Sequence, residues 1–225
     1  AVSNTPGAVT DATADIALTL ILMSARRAAE GERLVRAGDW PGWHPTQMLG
    51  QHVSGKKLGV IGMGRIGAAI ARRCHFGFGM QIFYTARSDK DPGFAACRMA
   101  DLSSMAAEVD FLVVAVPGGD ETRHLVNAEV LAAMQPHAHL VNIARGEVVQ
   151  QDALIAALQG RQIAGAGLDV YEFEPEVPQA LRDLSNVTLL PHLGTATEEV
   201  RSAMGHMALD NVAAFIAGQP LPNGL

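Results

Sequence analysis

Between Lys57 and Leu190, short apolar runs alternate with stretches in which apolar residues return every three or four positions. The runs predict strands at 57–61, 80–84, 110–115, 138–142, 163–168 and 187–190. The periodic stretches predict helices at about 65–75, 101–107, 127–134 and 150–159. Phe111-Leu112-Val113-Val114-Ala115-Val116 is apolar throughout, as suits a parallel strand buried on both faces. Six such strands alternating with helices predict an α/β fold built on a doubly wound parallel sheet. Pro191 ends the last strand, and Thr195 or Thr197 offers a cap for a final helix over about 196–217.

Ahead of this alternation, residues 1–10 read as a strand end and loop, with a turn at Pro6-Gly7. Thr10 or Asp11 is placed to cap a helix running to about Leu34 or Val35. Ile16, Leu20 and Met23 line one face of it, and Leu18, Ile21 and Leu22 widen that face. A helix so broadly apolar packs on more than its own domain, and a partner subunit or a neighbouring domain would serve. Trp40-Pro41-Gly42-Trp43-His44-Pro45 reads as an irregular loop, either an interface or a locally packed segment.

The most informative stretch is Leu58-Gly59-Val60-Ile61-Gly62-Met63-Gly64-Arg65-Ile66-Gly67. A strand runs into Gly62, Gly64 and Gly67 at G-x-G-x-x-G spacing, and a helix opens behind them. The first glycine allows a tight turn, the second lets backbone approach a pyrophosphate, and the third lets helix pack on strand. The spacing alone is weak evidence; strand before and helix after make it a dinucleotide site, with phosphates at the helix N-terminus. An NAD site places an acid at the end of the second strand. Here Gln81-Ile82-Phe83-Tyr84 leads into Thr85-Ala86-Arg87-Ser88, and Asp89 comes late. The turn Ala86, Arg87, Ser88 suits the 2′-phosphate of NADP, so NADP is favoured over NAD with dual use open.

Composition narrows the classes. A chain of 225 residues, 48% hydrophobic, supplies a core for one or two domains. The net charge of -6 is mild and mixed in sign, with no basic block for nucleic acid. The apolar stretch Ile16–Met23 is too short to span a membrane. Cys74 and Cys97 stand alone without metal spacing, which suits reduced thiols in a cytoplasmic protein. No metal site is predicted. The chain opens Ala1-Val2-Ser3-Asn4 and reads as the middle of a protein.

Three stretches at predicted strand ends carry the chemistry: Val141 to Glu147, Gly167 to Glu176, and Leu190 to Thr195. They place Arg145, Glu174 and His192 just beyond apolar strands, where a dinucleotide crevice opens. An arginine grips carboxylate and carbonyl oxygens in a fork. A histidine gives a carbonyl its proton as hydride arrives. A carboxylate beside that histidine fixes its orientation and favours its charged form. Each residue alone also has an ordinary reading: Arg145 as a salt-bridging loop residue, Glu174 as part of a solvated acidic loop, His192 as a core histidine.

Together, Asn4-Thr5-Pro6-Gly7, the glycine fingerprint, Asn142-Ile143-Ala144-Arg145-Gly146, Asp169-Val170-Tyr171 through Glu174-Pro175, and Pro191-His192-Leu193-Gly194 resemble the D-isomer-specific 2-hydroxyacid dehydrogenase family nearly end to end. The resemblance implies that Arg145 binds substrate, His192 is the acid/base and Glu174 pairs with it. It implies that Asp169 contacts the nicotinamide carboxamide, Arg65 and Ile66 the pyrophosphate, Val116 and Pro117 the adenosine side, and Ile143 and Ala144 the nicotinamide. Arg145, His192 and Gly194 are also placed against the cofactor.

Ser24-Ala25-Arg26-Arg27, Trp40-Pro41-Gly42-Trp43 and Ala86-Arg87-Ser88 resemble the glyoxylate/hydroxypyruvate reductases within that family. The implied activity is hydride transfer between NADP(H) and a small 2-oxo acid. Phosphite dehydrogenases share the triad, and a non-enzymatic NAD(P)H-sensing module is the alternative of another class. A homodimer is expected through the early helix and the tryptophan loop. Family members carry a further N-terminal segment forming most of a substrate domain. The expected division is a linker at 1–9, the dinucleotide-binding domain at 10–193, and a helix of the substrate domain at 194–225. The 225-residue chain alone is expected to bind NADP(H) and turn over poorly.

Overall fold

The apolar runs assemble into one seven-stranded parallel sheet in the computed structural model, which describes residues 1–225. The strands are β1 (Lys57–Ile61), β2 (Gln81–Thr85), β3 (Ala96–Arg98), β4 (Phe111–Val114), β5 (His139–Asn142), β6 (Gly165–Leu168) and β7 (Val187–Leu189). Their order across the sheet is β3-β2-β1-β4-β5-β6-β7. The winding reverses between β1 and β4, where Ile61 pairs with Thr85 on one side and Val114 on the other. In such sheets a crevice opens beyond the strand C-termini at that reversal.

Eight helices accompany the sheet: α1 (Thr10–Ala25), α2 (Ala28–Ala37), α3 (Arg65–Phe78), α4 (Leu102–Glu108), α5 (Ala128–Ala133), α6 (Gln151–Gln159), α7 (Gln179–Arg182) and α8 (Glu198–Ile216). Alternation along β4 shows how the two faces are filled. Phe111 and Val113 join a core with Leu20 and Ile21 of α1 and Ile70 of α3. Leu112 and Val114 join the opposite core with Leu131 of α5 and Leu154 of α6. A strand with a period of two therefore needs apolar residues at every position.

The structure departs from the sequence expectations in four places. The early helix does not continue to Leu34: it stops at Arg26, and Arg27 takes a left-handed conformation (φ 53°) before α2 begins. Neither Thr10 nor Asp11 caps α1; Val9 occupies that position without a side-chain bond. Strand β3, three residues at the sheet edge, was not expected, nor was the four-residue α7. Of the two threonines offered for the last helix, Thr197 is the cap, accepting from the Val200 amide at 3.2 Å.

Helix α8 exposes Leu209, Val212, Phe215 and Ile216 and buries only Asn211. The Asn211 side-chain carbonyl accepts from the Asn223 amide at 3.0 Å. Near it the two chain ends meet, with Ser3 bridging Gly224. Trp40 and Trp43 both stay exposed, with Trp40 Nε1 donating to Gln47 Oε1 at 3.3 Å. No helix is long and apolar enough to cross a membrane.

Candidate active site

The glycine loop joins β1 to α3 and shows a different constraint at each glycine. Gly62 has φ 97°, and a side chain there would meet Val116 Cγ1 at 2.7 Å. A Cβ on Gly67 would fall 1.9 Å from the Gly62 carbonyl oxygen, so helix and turn touch directly. A Cβ on Gly64 would meet no protein atom within 4 Å. That open side faces the crevice, and the amides that begin α3 have no side-chain cap. Free N–H groups, a positive helix end and room for backbone approach fit a pyrophosphate.

The crevice has a volume of about 1130 Å³. Gly64, Arg65 and Ile66 line its floor, with Val116 and Pro117 from the end of β4. Ile143, Ala144 and Arg145 enter from the end of β5, and Asp169, His192 and Gly194 from the far side. Gly62 and Gly67 do not line it and act only by letting turn, helix and β4 end pack closely. Ala86, Arg87 and Ser88 lie outside this cavity, at the end of β2, with Arg87 and Ser88 exposed.

The β2 turn holds a residue that the sequence reading missed. Arg98, on the unexpected β3, donates to the Ala86 carbonyl from Nε and Nη2 at 3.2 and 2.9 Å. Its Nη1 pairs with Asp89 at 3.0 Å. The late carboxylate is thus neutralised by a neighbour, and the turn carries two arginines. The only signal was the short apolar run Phe94-Ala95-Ala96-Cys97 ahead of Arg98, too brief to stand out.

Arg145 follows β5 in a turn built by Asn142, whose amide nitrogen donates to the Arg145 carbonyl and whose oxygen accepts from the Ala144 amide, both at 3.0 Å. Gly146 is required next, because a Cβ there would overlap the Tyr171 backbone at 1.8 Å. His192 lies just past β7 in a left-handed conformation (φ 55°). Its Nδ1 is 2.8 Å from Glu174 Oε2. The other Glu174 oxygen accepts from the Tyr171 amide at 3.0 Å. His192 Nε2 has no protein partner, and the residue lines the crevice.

Asp169 is buried beneath this pair. Its two carboxylate oxygens accept from the Leu193 and Gly194 amides at 2.6 and 2.8 Å, and its carbonyl accepts from the His192 amide at 2.9 Å. Burial pushes its carboxyl above the ordinary range, against the pull of those amides and of His192. Asp169 therefore anchors the backbone that carries His192. Tyr171 fixes the same region through its hydroxyl, which donates to the Leu190 carbonyl at 2.8 Å. Thr195, considered above only as a helix cap, and Arg201, which the sequence did not single out, also line the crevice. No group of three or more His, Cys, Asp or Glu is placed to hold a metal. Both cysteines are unpaired, and burial pushes the Cys74 thiol up to about 12.

The chain is similar to known proteins along nearly its whole length. The profile of the D-isomer specific 2-hydroxyacid dehydrogenase NAD binding domain matches residues 18–194. Glyoxylate reductase of Thermococcus litoralis is 45% identical over 228 residues, covering 99% of this chain and 69% of that protein. Glyoxylate/hydroxypyruvate reductase B of Pectobacterium carotovorum is 46% identical over 224 residues, covering 98% and 70%. The structure of an NADPH-dependent glyoxylate/hydroxypyruvate reductase from Sinorhizobium meliloti, in complex with NADP and malonate, superimposes with a TM-score of 0.92 at 40% identity. That match covers 99% of this chain and 70% of the other.

Sheet order, glycine loop and crevice define a doubly wound NAD(P)-binding domain of an oxidoreductase. More narrowly, the chain belongs to the D-isomer-specific 2-hydroxyacid dehydrogenase family, whose members are NAD(P)-dependent enzymes acting on small molecules.

Proposed function

We propose that the protein reduces a small 2-oxo acid, glyoxylate or hydroxypyruvate, with NADPH as the preferred donor. The observation that carries this reading is the 2.8 Å pair of His192 and Glu174 facing the same crevice as Arg145. Bound cofactor supplies the hydride. Arg145 holds the substrate carboxylate and steadies charge growing on the carbonyl oxygen. His192 Nε2 gives that oxygen its proton, and the proton returns from water afterwards. Glu174 engages Nδ1 and holds the ring turned so that Nε2 points into the crevice. The relatives' names and the malonate complex support a small carboxylate substrate.

The NADP preference rests on the β2 turn. Arg87 and Ser88 are exposed, and Asp89 is held by Arg98. Asp89, the first carboxylate after the turn, is thereby paired and not free to repel a 2′-phosphate. We also read residues 1–9 as linker, 10–193 as the cofactor domain and 194–225 as belonging to a substrate domain, since α8 leaves its apolar residues uncovered. The exposed tryptophans beside α2 support a homodimer, and the unpaired cysteines support a cytoplasmic protein.

The deciding experiment is NADPH oxidation by the full-length protein with glyoxylate, hydroxypyruvate and other 2-oxo acids, beside His192→Ala. Turnover by wild type and not by the variant supports the reading. Equal silence of both rejects it.

A further inference from the structure

Three glutamates crowd the loop after β6, and they face different ways. Glu174 turns to His192, whereas Glu172 turns inward, its side chain 9% exposed. Glu172 Oε1 accepts from His124 Nε2 at 2.7 Å and from Arg123 Nη2 at 3.4 Å. Its Oε2 accepts from the Gln151 amide at 3.3 Å, and its own amide donates to Gln151 Oε1. A carboxylate this enclosed is held in one position.

Its partners belong to the other two crevice loops. His124 sits in a left-handed conformation (φ 51°), and its amide donates to the Glu147 carbonyl at 2.8 Å. Glu147 Oε1 in turn accepts from the Gly119 amide at 2.9 Å. The segment after β4 and the segment after β5 are therefore fastened to one side chain of the segment after β6.

Both fastened segments touch the chemistry. A Cβ on Gly118 would lie 2.7 Å from Arg145 Cγ, so the Gly118 backbone rests on the stem of the substrate-binding arginine. Gly146 is pressed against the Tyr171–Glu172 peptide, and the Tyr171 amide holds Glu174.

We propose that Glu172 and His124 form a positioning pair, which sets Arg145 against the substrate carboxylate and holds Glu174 in register with His192. Neither residue touches the reacting atoms. The pair acts by keeping three loops at a fixed separation, so its loss blurs the aim of Arg145 while leaving the pyrophosphate site intact. This inference rests on the proposed reduction of a 2-oxo acid for the identity of the ligand.

The test uses full-length protein carrying Glu172→Ala, Glu172→Gln or His124→Gln. Four quantities are read: NADPH affinity by fluorescence, affinity of the protein–NADPH complex for the unreactive analogue oxamate, kcat and KM for glyoxylate, and hydrogen exchange at 118–122 and 145–148. Glu172→Ala is expected to weaken oxamate binding and raise KM by about tenfold, with kcat also lowered. NADPH affinity is expected to stay within about twofold. Exchange in the two segments rises. Glu172→Gln restores only part of the loss, because its single amide oxygen accepts from His124 or from the Gln151 amide but not from both.

Unchanged oxamate affinity, KM and exchange in Glu172→Ala overturn the proposal. So does a loss of NADPH affinity in step with oxamate affinity, which marks a merely structural role. A wild type silent toward every 2-oxo acid defeats the proposed function instead. Exchange at 118–122 and 145–148 then still reads the pair, and unchanged exchange overturns it.

Discussion

Glu174 Oε2 lies 2.8 Å from His192 Nδ1, across 18 residues and a strand. The Tyr171 amide holds the other oxygen, so the carboxylate cannot swing away without losing a backbone bond. Replacing Glu174 by Gln keeps that shape and removes the charge. The expected result is a fall in kcat of about 10²-fold or more, the size of a disturbed general acid/base. NADPH affinity should change by less than about threefold. Single-turnover kinetics with titrated NADPH check it.

Gly64 and Gly67 make opposite predictions from one loop. At Gly67 an added methyl meets the Gly62 carbonyl, so Gly67→Ala should lower Tm by on the order of 5 °C, as overpacking does. At Gly64 the methyl meets no protein atom, and φ is -81°, so Gly64→Ala should leave Tm unchanged. Its loss should appear in NADPH affinity, because the methyl takes the space a pyrophosphate needs. Thermal melts and NADPH titrations of both variants check the pair.

Arg87 and Arg98 bear on cofactor choice in different ways. Arg87→Ala removes an exposed guanidinium at the proposed 2′-phosphate position, where a charged contact would be worth about 1.5–3 kcal/mol. NADPH affinity should fall roughly tenfold or more, with NADH unchanged. Arg98→Ala should lower NADPH affinity too, because it releases Asp89 to repel the phosphate. NADH affinity should not suffer. Isothermal titration with both cofactors separates these outcomes.

His139 predicts a pH dependence of stability. It is buried, stacked on Phe111, with Nδ1 2.6 Å from Ser24 Oγ. Burial chiefly lowers its pKa from 6.5 to about 4. A lowered pKa means the unfolded chain takes up this proton first. The contribution is whole above pH 6.5 and is lost as pH falls toward 4. Between pH 7 and pH 4.5 this one residue should account for about 2 kcal/mol. Unfolding free energies from urea titrations at the two pH values should differ less in His139→Gln than in wild type, by about 2 kcal/mol.

What the sequence disclosed follows from how each feature is encoded. Strands β1 and β4 were plain because both faces are buried, which forces unbroken apolar runs. The glycine loop was plain because 1.9 Å of clearance at Gly67 admits no other residue. The break at Arg26–Arg27 was not, since both residues suit helices; the Arg27–Glu30 pair at 2.7 Å instead accompanies the start of α2. Strand β3 was hidden by its length and exposure, and Arg98 with it. The three site residues were legible as separate strand-end motifs. The anchoring of His192 by Asp169 and the inward turn of Glu172 were not, because both depend on long-range packing that no spacing records.

In the proposed reaction, His192 and Arg145 act on a 2-oxo acid beside NADPH bound at the glycine loop. The most direct measurement is steady-state NADPH oxidation with glyoxylate by full-length wild type, His192→Ala and Arg145→Ala, each with its NADPH affinity determined separately. His192→Ala is expected to lose kcat roughly 10²–10⁴-fold and Arg145→Ala to show a large rise in KM, with any loss of NADPH affinity in either variant much smaller than these effects. Turnover that survives either substitution at wild-type rate and KM would contradict these roles.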